Sequence, residues 1–221
     1  MRNAPSRSFL RYPLDGLLGR PGSLRVLRAL VLATAPQGVS QLAGATGLTP
    51  QGVRNILADL AGSGIASASG GGRAQVYSAN PSHALHALLR QLFTTERSRW
   101  DQLRNGLRHA LEQRPEVRAA WYYGSAARGD DGPGSDLDLA ILVKGAGAGR
   151  TLAAVRKDLR AIEDSFGVHC AVVGLSAADI ARHVRGLTPG TWWSSMLQDA
   201  RVLKGPHPEQ LAAEAADEAR A

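Results

Sequence analysis

Two short motifs in this 221-residue chain carry residues that can do chemistry: Gly124-Ser125, and Asp136-Leu137-Asp138. The first ends an apolar run, Trp121-Tyr122-Tyr123, as a strand does when it turns sharply. Such a turn aims backbone N–H groups at an anion, and a serine hydroxyl adds a donor, so a phosphate can sit there. The second motif opens another apolar run, Leu139 to Val143. A strand period of two puts Asp136 and Asp138 on one face, about 6.6 Å apart along the strand. Carboxylates so placed converge on Mg²⁺ while Leu137 packs behind them. The intervening Ala126 to Ser135 reads as one helical turn followed by a Gly/Pro loop, which places the phosphate cradle and the metal clamp on neighbouring strands. An isolated Asp-x-Asp is most simply two exposed aspartates at a strand end; the Gly-Ser pair at this distance argues for more.

In residue identity and gap length the stretch resembles the signature of the DNA polymerase beta-like nucleotidyltransferases, in particular their minimal branch. The resemblance implies that Gly124 and Ser125 hold the β- and γ-phosphates of a nucleoside triphosphate, with Arg128 and Ser135 in the same nucleotide site. It implies that Asp136 and Asp138 hold Mg²⁺ or Mn²⁺, and that Arg128 offsets charge on the leaving pyrophosphate while a nucleoside monophosphate passes to a hydroxyl. The family also places a third carboxylate on a later strand, to orient the acceptor and complete a second metal site. Here the next strand reads Val168-His169-Cys170-Ala171-Val172-Val173, and by the family's register the acidic position falls on Ala171. A methyl group neither binds a metal nor accepts a proton. His169, two residues earlier on the same face, is a substitute base or an ordinary surface histidine. Glu163 and Asp164, on the helix before it, read as solvated charges.

Length and composition set the frame for these motifs. The chain is long enough for two small domains, each with its own core. A single cysteine, Cys170 among apolar neighbours, excludes an internal disulfide and a cysteine zinc cluster and reads as a buried thiol. No apolar run is long enough for a membrane span and no signal peptide is evident, so the chain reads as cytoplasmic. The net charge of +7 is uneven: residues 1–113 carry 13 Arg against 5 acids, residues 114–221 carry 13 basic against 14 acidic residues. A positive field confined to one half favours an anionic polymer there, although arginine-rich surfaces also serve solubility alone.

That basic half has its own pattern. Ser23 is placed to cap a helix with Leu24, Leu27, Leu30 and Val31 on one face. Val39 to Leu48 reads as a Ser-capped short helix stopped at Gly47, and Thr49-Pro50 opens a third helix through Leu60. Ile65 to Ala68 and Gln75 to Ser78 then form a hairpin with Arg73 at its tip. Two short helices joined by a tight turn, followed by a basic-tipped hairpin, resemble the winged helix-turn-helix of bacterial transcription regulators of the MarR and ArsR kind. The resemblance implies that the third helix enters the major groove of double-stranded DNA, with Gln51, Arg54 and Asn55 reading base edges and Arg73 touching the backbone or minor groove. The other reading is a winged fold that binds only protein.

Asn80-Pro81 is placed to cap a long helix reaching Gln113, about 45 Å if unbroken, whose apolar positions from Leu85 to Leu111 recur at steps of three and four. Such a stripe packs on its own domains or on a second copy, and a homodimer is expected. Lys144 to Arg150 is superficially like a dinucleotide fingerprint but lacks its last glycine and reads as a surface loop. Trp192 to Leu197 reads as a helix face, Arg201 to Gly205 as a short strand or turn.

The expected architecture is therefore α+β: a basic arm over 1–19, a winged helix-turn-helix over 20–80, a linker helix over 81–114, a nucleotidyltransferase-fold mixed sheet flanked by helices over 115–205, and a fraying tail over 206–221. Two functions follow. One is a DNA-binding transcriptional regulator whose second domain binds nucleoside triphosphate and Mg²⁺ with reduced or lost catalysis. The other is a Mg²⁺-dependent enzyme transferring a nucleotidyl group to a hydroxyl of a protein, RNA or small molecule, with the winged helix as targeting module.

Overall fold

The computed structural model describes residues 7–145, 147–185 and 191–218. The chain divides into two compact units, Met1–Arg99 and Trp100–Ala221.

In the first unit the elements are α1 (Leu14–Leu17), α2 (Pro21–Leu32), β1 (Gln37–Gly38), α3 (Val39–Thr46), α4 (Pro50–Gly62), β2 (Ala66–Ser69) and β3 (Val76–Ala79), with α5 (His86–Glu112) beginning here. The strands form an antiparallel sheet in the order β1-β3-β2, with Gln37 opposite Tyr77 and Ala66 opposite Ala79. Val26, Leu30, Leu42, Val53, Leu57 and Ala66 make the core. Helix α4 starts as its sequence demands: the Thr49 hydroxyl accepts from the Gly52 N–H at 3.1 Å and Pro50 takes the first position, where no N–H is needed. Gly47 ends α3 at φ 69°, the left-handed conformation that glycine adopts without strain.

Several local expectations shift. Ser23 does not cap α2: Arg20 precedes it at φ 46° and Pro21 is its first residue. Along α2, Val26, Leu30 and Val31 are buried, while Leu24 and Leu27 are only partly so. Helix α3 is opened not by serine but by Gly38, whose N–H donates to Gln41 Oε1 at 2.8 Å. Asn80 is not a helix cap either. Its Nδ2 donates to the Gly64 carbonyl and its Oδ1 accepts from the Ser82 N–H, so the side chain stabilises a turn and α5 begins only at His86. Within the segment read as a basic arm, Leu10 is buried, and Asp15 bonds Arg25 and Arg28.

The second unit contains the end of α5, then β4 (Val117–Tyr123), α6 (Gly124–Arg128), β5 (Leu137–Val143), α7 (Ala148–Phe166), β6 (Cys170–Leu175), α8 (Ala177–Arg185), α9 (Trp192–Asp199), β7 (Arg201–Lys204) and α10 (Pro208–Glu218). The mixed sheet runs β6-β5-β4-β7, parallel between β5 and β6 and antiparallel elsewhere. Both faces are covered, which explains the near-continuous apolar runs of β4 and β5. One face of Ala119, Trp121, Tyr123, Ala140 and Leu142 meets Ile180, Met196, Leu197 and Leu211. On the other, Trp100 of α5 meets the Tyr122 ring edge-on at 5.5 Å. Lys204 Nζ donates to the Leu111 and Arg114 carbonyls at 2.8 Å each, alongside the backbone N–H groups of Arg114 and Val117 that those carbonyls also accept, and so ties β7 to the end of α5.

Within the segment read as a tail, Pro208–Glu218 forms a helix. Alternating alanine and acidic residues disguise an amphipathic helix, α10, which buries Leu211 in the core and pairs Glu214 with Arg118 at 2.8 Å. Glu163 is not a purely solvated charge, because its Oε1 accepts the Cys170 N–H at 2.7 Å and so fixes the start of β6. Cys170 is buried as expected, and loss of solvent pushes its thiol up to about 12, leaving it protonated and inert.

Candidate functional site

The cradle and the clamp meet at the ends of two antiparallel strands. Tyr123, the last residue of β4, is opposite Asp138 in β5. Gly124 follows at φ +69°, and a Cβ at that position would lie 2.6 Å from Asp138 Oδ2. Glycine is thus required twice, by conformation and by the approach of a carboxylate to the backbone. Ser125 stands in the first turn of α6, its carbonyl accepting from Gly129 and Asp130.

Asp138 is half-buried at the mouth of the sheet and Asp136 is exposed beside it. Burial first, and the negative charge of Asp136 second, push the Asp138 carboxyl above its ordinary range, while Arg128 pulls it partly back. Tyr123 is raised in the same way, first by burial and then by Asp138. The protein therefore holds negative charge here at a cost, and a divalent cation would relieve it.

Arg128, at the end of α6, is bonded by two acids. Its Nη1 donates to Asp199 and its Nε to Asp130 at 3.2 Å. Those hydrogen bonds, Asp199's first, raise its affinity for the proton further. Asp199 closes α9 and is distant in sequence, so no local pattern marks it as the residue that aims Arg128. Ser135 points its Oγ to the Gly132 N–H at 2.9 Å, closing the loop before Asp136. Its observed role is to shape that loop.

On the other side of Asp138 the parallel register sets Ala171 directly beside it. The residue beside Asp138 on the neighbouring strand thus carries a methyl group and no carboxylate. His169, just before β6, brings its Nδ1 to 3.2 Å from Asp136 Oδ1, and both side chains are mostly exposed. Among the described residues no three His, Cys, Asp or Glu side chains gather as a metal-binding set. The donors present fit one Mg²⁺ or Mn²⁺ held by two carboxylates, with ligand phosphates and water filling the other positions. They do not fit a second cation held by protein carboxylates.

Trp192 extends the site's aromatic border. It is 40 % exposed and meets the Tyr123 ring edge-on at 5.6 Å, and Trp193 behind it stacks on His183 at 4.7 Å. Helix periodicity could not show this contact, since Tyr123 and Trp192 come from β4 and α9.

In the first unit, Gln51, Arg54 and Asn55 are all exposed on the first turns of α4. Gln51 Nε2 donates to Asn55 Oδ1 at 2.9 Å and Arg54 Nη1 to Gln51 Oε1 at 3.5 Å. Arg73 lies in a single 3₁₀ turn, Gly72–Ala74, between β2 and β3; its side chain lies outside the described residues. No helix among the described residues is long and apolar enough to cross a membrane.

Residues 105–184 match the family described as polymerase beta, nucleotidyltransferase. No curated protein matches the chain. Among solved structures, the chain is similar to a toxin–antitoxin complex with AMP-PNP, at 15% identity over 53% of this chain and 86% of that one, with a TM-score of 0.36. A mutant of the toxin–antitoxin pair MntA–HpeT shares 12% identity over 53% and 86%, with a TM-score of 0.35. The tri-AMPylated Shewanella oneidensis HEPN toxin in complex with MNT antitoxin gives 13% over 54% and 86%, with a TM-score of 0.33.

Proposed function

We propose, from the polymerase beta-like nucleotidyltransferase domain at residues 105–184, that the second unit binds a nucleoside triphosphate with one Mg²⁺ or Mn²⁺, and that the first unit binds double-stranded DNA as a winged helix-turn-helix, making the chain a nucleotide-responsive transcriptional regulator. The observation that carries this reading is the register of β5 and β6: two carboxylates at the strand mouth and Ala171 beside Asp138. Gly124 and Ser125 hold the β- and γ-phosphates, Asp136 and Asp138 the cation, and Arg128, aimed by Asp199, neutralises phosphate charge. A bound cation would screen the repulsion between the carboxylates and polarise the phosphate oxygens. Without a third carboxylate, the site is built to hold a nucleotide more than to activate an acceptor.

For the first unit, support comes from the exposed Gln51, Arg54 and Asn55 early on α4, from the hairpin carrying Arg73, and from the positive charge of this half of the sequence. Arg is suited to guanine and Asn or Gln to adenine. Leu85, Leu88 and Leu92 are exposed at 48%, 62% and 39% at helical spacing, which supports a homodimer through this stripe.

His169 favours a second reading, in which the domain is an active nucleotidyltransferase. Its imidazole is 3.2 Å from Asp136 and so at the mouth of the metal site. It would take the proton of an acceptor hydroxyl as that oxygen attacks the α-phosphorus and pyrophosphate departs.

Incubation of the purified chain with labelled nucleoside triphosphates, Mg²⁺ and candidate acceptors separates the two. Cation-dependent retention of nucleotide with no transfer supports the regulator; label transfer that disappears in Asp136→Ala and in His169→Ala establishes the enzyme. For DNA, Arg54→Ala should weaken a selected operator far more than random duplex. Equal, salt-insensitive affinity of wild type and Arg54→Ala would end the DNA reading.

A further inference from the structure

Helix α9 borders the nucleotide site at both of its ends. Its last residue, Asp199, bonds Arg128, and its first, Trp192, meets the Tyr123 ring edge-on at 5.6 Å. Tyr123 packs on the sheet face that it shares with Ala119, Trp121, Ala140 and Leu142. Asp138, two residues before Ala140 in β5, belongs to that same face by the strand period. Trp192 therefore stands one aromatic ring from Gly124, on the side of the sheet that carries the half-buried carboxylate.

The indole is held in place and yet left open. Trp193 meets it edge-on at 4.9 Å and is itself stacked on His183 at 4.7 Å. A hydrogen bond from Trp192 to the Tyr123 side chain ties it to β4. The turn beneath is closed as well: the Thr191 hydroxyl accepts from the Ser194 N–H, and the Ser194 hydroxyl donates to the Thr191 carbonyl at 2.9 Å. Trp100 and Trp121, which fill the core, are 9 % and 0 % exposed, whereas Trp192 is 40 % exposed. An indole fixed by its neighbours with surface left over is a pre-organised platform for a flat ring, because little ordering is left to be done on binding. The polar side chains next to it, Thr191, Ser194 and Tyr123, already bond within the protein. Among the described residues, a base resting there meets aromatic surface rather than donors and acceptors aimed at its edge.

We propose that Trp192 is the nucleobase platform of the second unit, and that it selects nucleotides by the area of the base, purine over pyrimidine, with little distinction between adenine and guanine. This inference rests on the nucleotide reading given above and deepens it. The phosphates anchor at Gly124 and Ser125, and the base stacks on the indole at the N-terminus of α9.

The experiment is calorimetric titration of the full chain, with Mg²⁺, against the α,β-methylene analogues of ATP, GTP, CTP and UTP, which resist cleavage of the α–β bond. Inorganic tripolyphosphate is the base-free control. The ATP and GTP analogues are expected to bind alike and about five-fold more tightly than the CTP and UTP analogues. Trp192→Leu, at an exposed position, should weaken the two purine analogues about ten-fold or more and leave tripolyphosphate unchanged, while Trp192→Phe should keep most of the purine preference. Tryptophan emission should be quenched by the ATP analogue in the wild type and not in Trp192→Phe, and tripolyphosphate should quench neither. Equal affinity for all four analogues, a ten-fold distinction between adenine and guanine, or purine affinity undiminished in Trp192→Leu would each overturn the proposal and leave the nucleotide reading standing. So would a parallel loss of tripolyphosphate and all four analogues in Trp192→Leu, which is the mark of a tryptophan that only supports Tyr123. Wild-type protein that binds neither tripolyphosphate nor any analogue would overturn both.

Discussion

Asp15 and Glu96 in the first unit meet Arg25 and Arg28 at 2.7 to 2.9 Å, whereas Asp136 and Asp138 in the second stand beside each other with, among the described residues, only the exposed His169 bonded to the pair. The first pair is a finished structure. Glu96 is 4 % exposed and burial keeps its carboxyl above the ordinary range, but the Arg28 charge and hydrogen bond and the Leu14 N–H all pull it back down. The second pair is unfinished: burial and like charge both act against Asp138, and only Arg128, itself bonded to Asp199 and Asp130, pulls the other way. The proposed function uses this difference: the second pair is where a cation would be held.

Four substitutions would break or sharpen that contrast. Arg28→Ala should cost about 3–5 kcal/mol of stability, because it leaves two acids short of their buried partner; denaturant unfolding measures it. The double change Arg28→Met, Glu96→Leu should recover much of that loss. If Arg28→Ala is neutral, the first cluster is not the closed ion network its distances describe.

Asp138→Asn should act in the opposite sense on stability. The folded-state pKa of Asp138 lies above its unfolded value, so the wild type gains stability as pH falls through the folded pKa toward 3.8 and lacks that gain at neutral pH. Asparagine, which does not ionise, should make the metal-free protein more stable at pH 7, with the advantage shrinking in acid. The same change should weaken Mg²⁺-dependent binding of a non-hydrolysable triphosphate about 100-fold, near 3 kcal/mol, by titration calorimetry. Wild-type affinity in Asp138→Asn would remove the carboxylate clamp from the site.

Gly124→Ala should destabilise by about 1–3 kcal/mol through its φ of +69° and displace Asp138 through the 2.6 Å clash. Combined with Asp138→Ala, the cost should be less than the sum of the two single changes, a coupling that a double-mutant cycle detects. Ala171→Asp carries the smallest effect. It sets a third carboxylate next to Asp138, and Mn²⁺ affinity should rise about ten-fold. Unchanged Mn²⁺ affinity would show that a carboxylate beside Asp138 on β6 does not reach the cation.

Much of this was legible from residue types alone where the signal is local. Thr49-Pro50, Gly47, the apolar runs of β4 and β5, and the turn between Gly124 and Ser135 each specify their backbone within a few residues, and each formed as its chemistry requires. Local reading failed where a nearer rule was overridden. Ser23 is a good cap residue, but Pro21 starts the helix earlier; Asn80 is another, but its side chain is taken by Gly64 across the turn. Around α10, weak amphipathicity hid a helix whose stability comes from burying Leu211 against the sheet.

By itself the sequence determined the Gly-Ser turn after β4, the Asp-x-Asp pair at the start of β5, their neighbouring placement, and an alanine at 171, because strand period and turn chemistry act over short distances. Only the tertiary structure decided which groups act on them. Asp199 reaching Arg128, Tyr123 with Trp192 at the border, and the approach of Asp138 that crowds any side chain at Gly124 depend on side chains from separate elements. Electrostatics and close packing depend on distance in space, and the fold alone sets that distance.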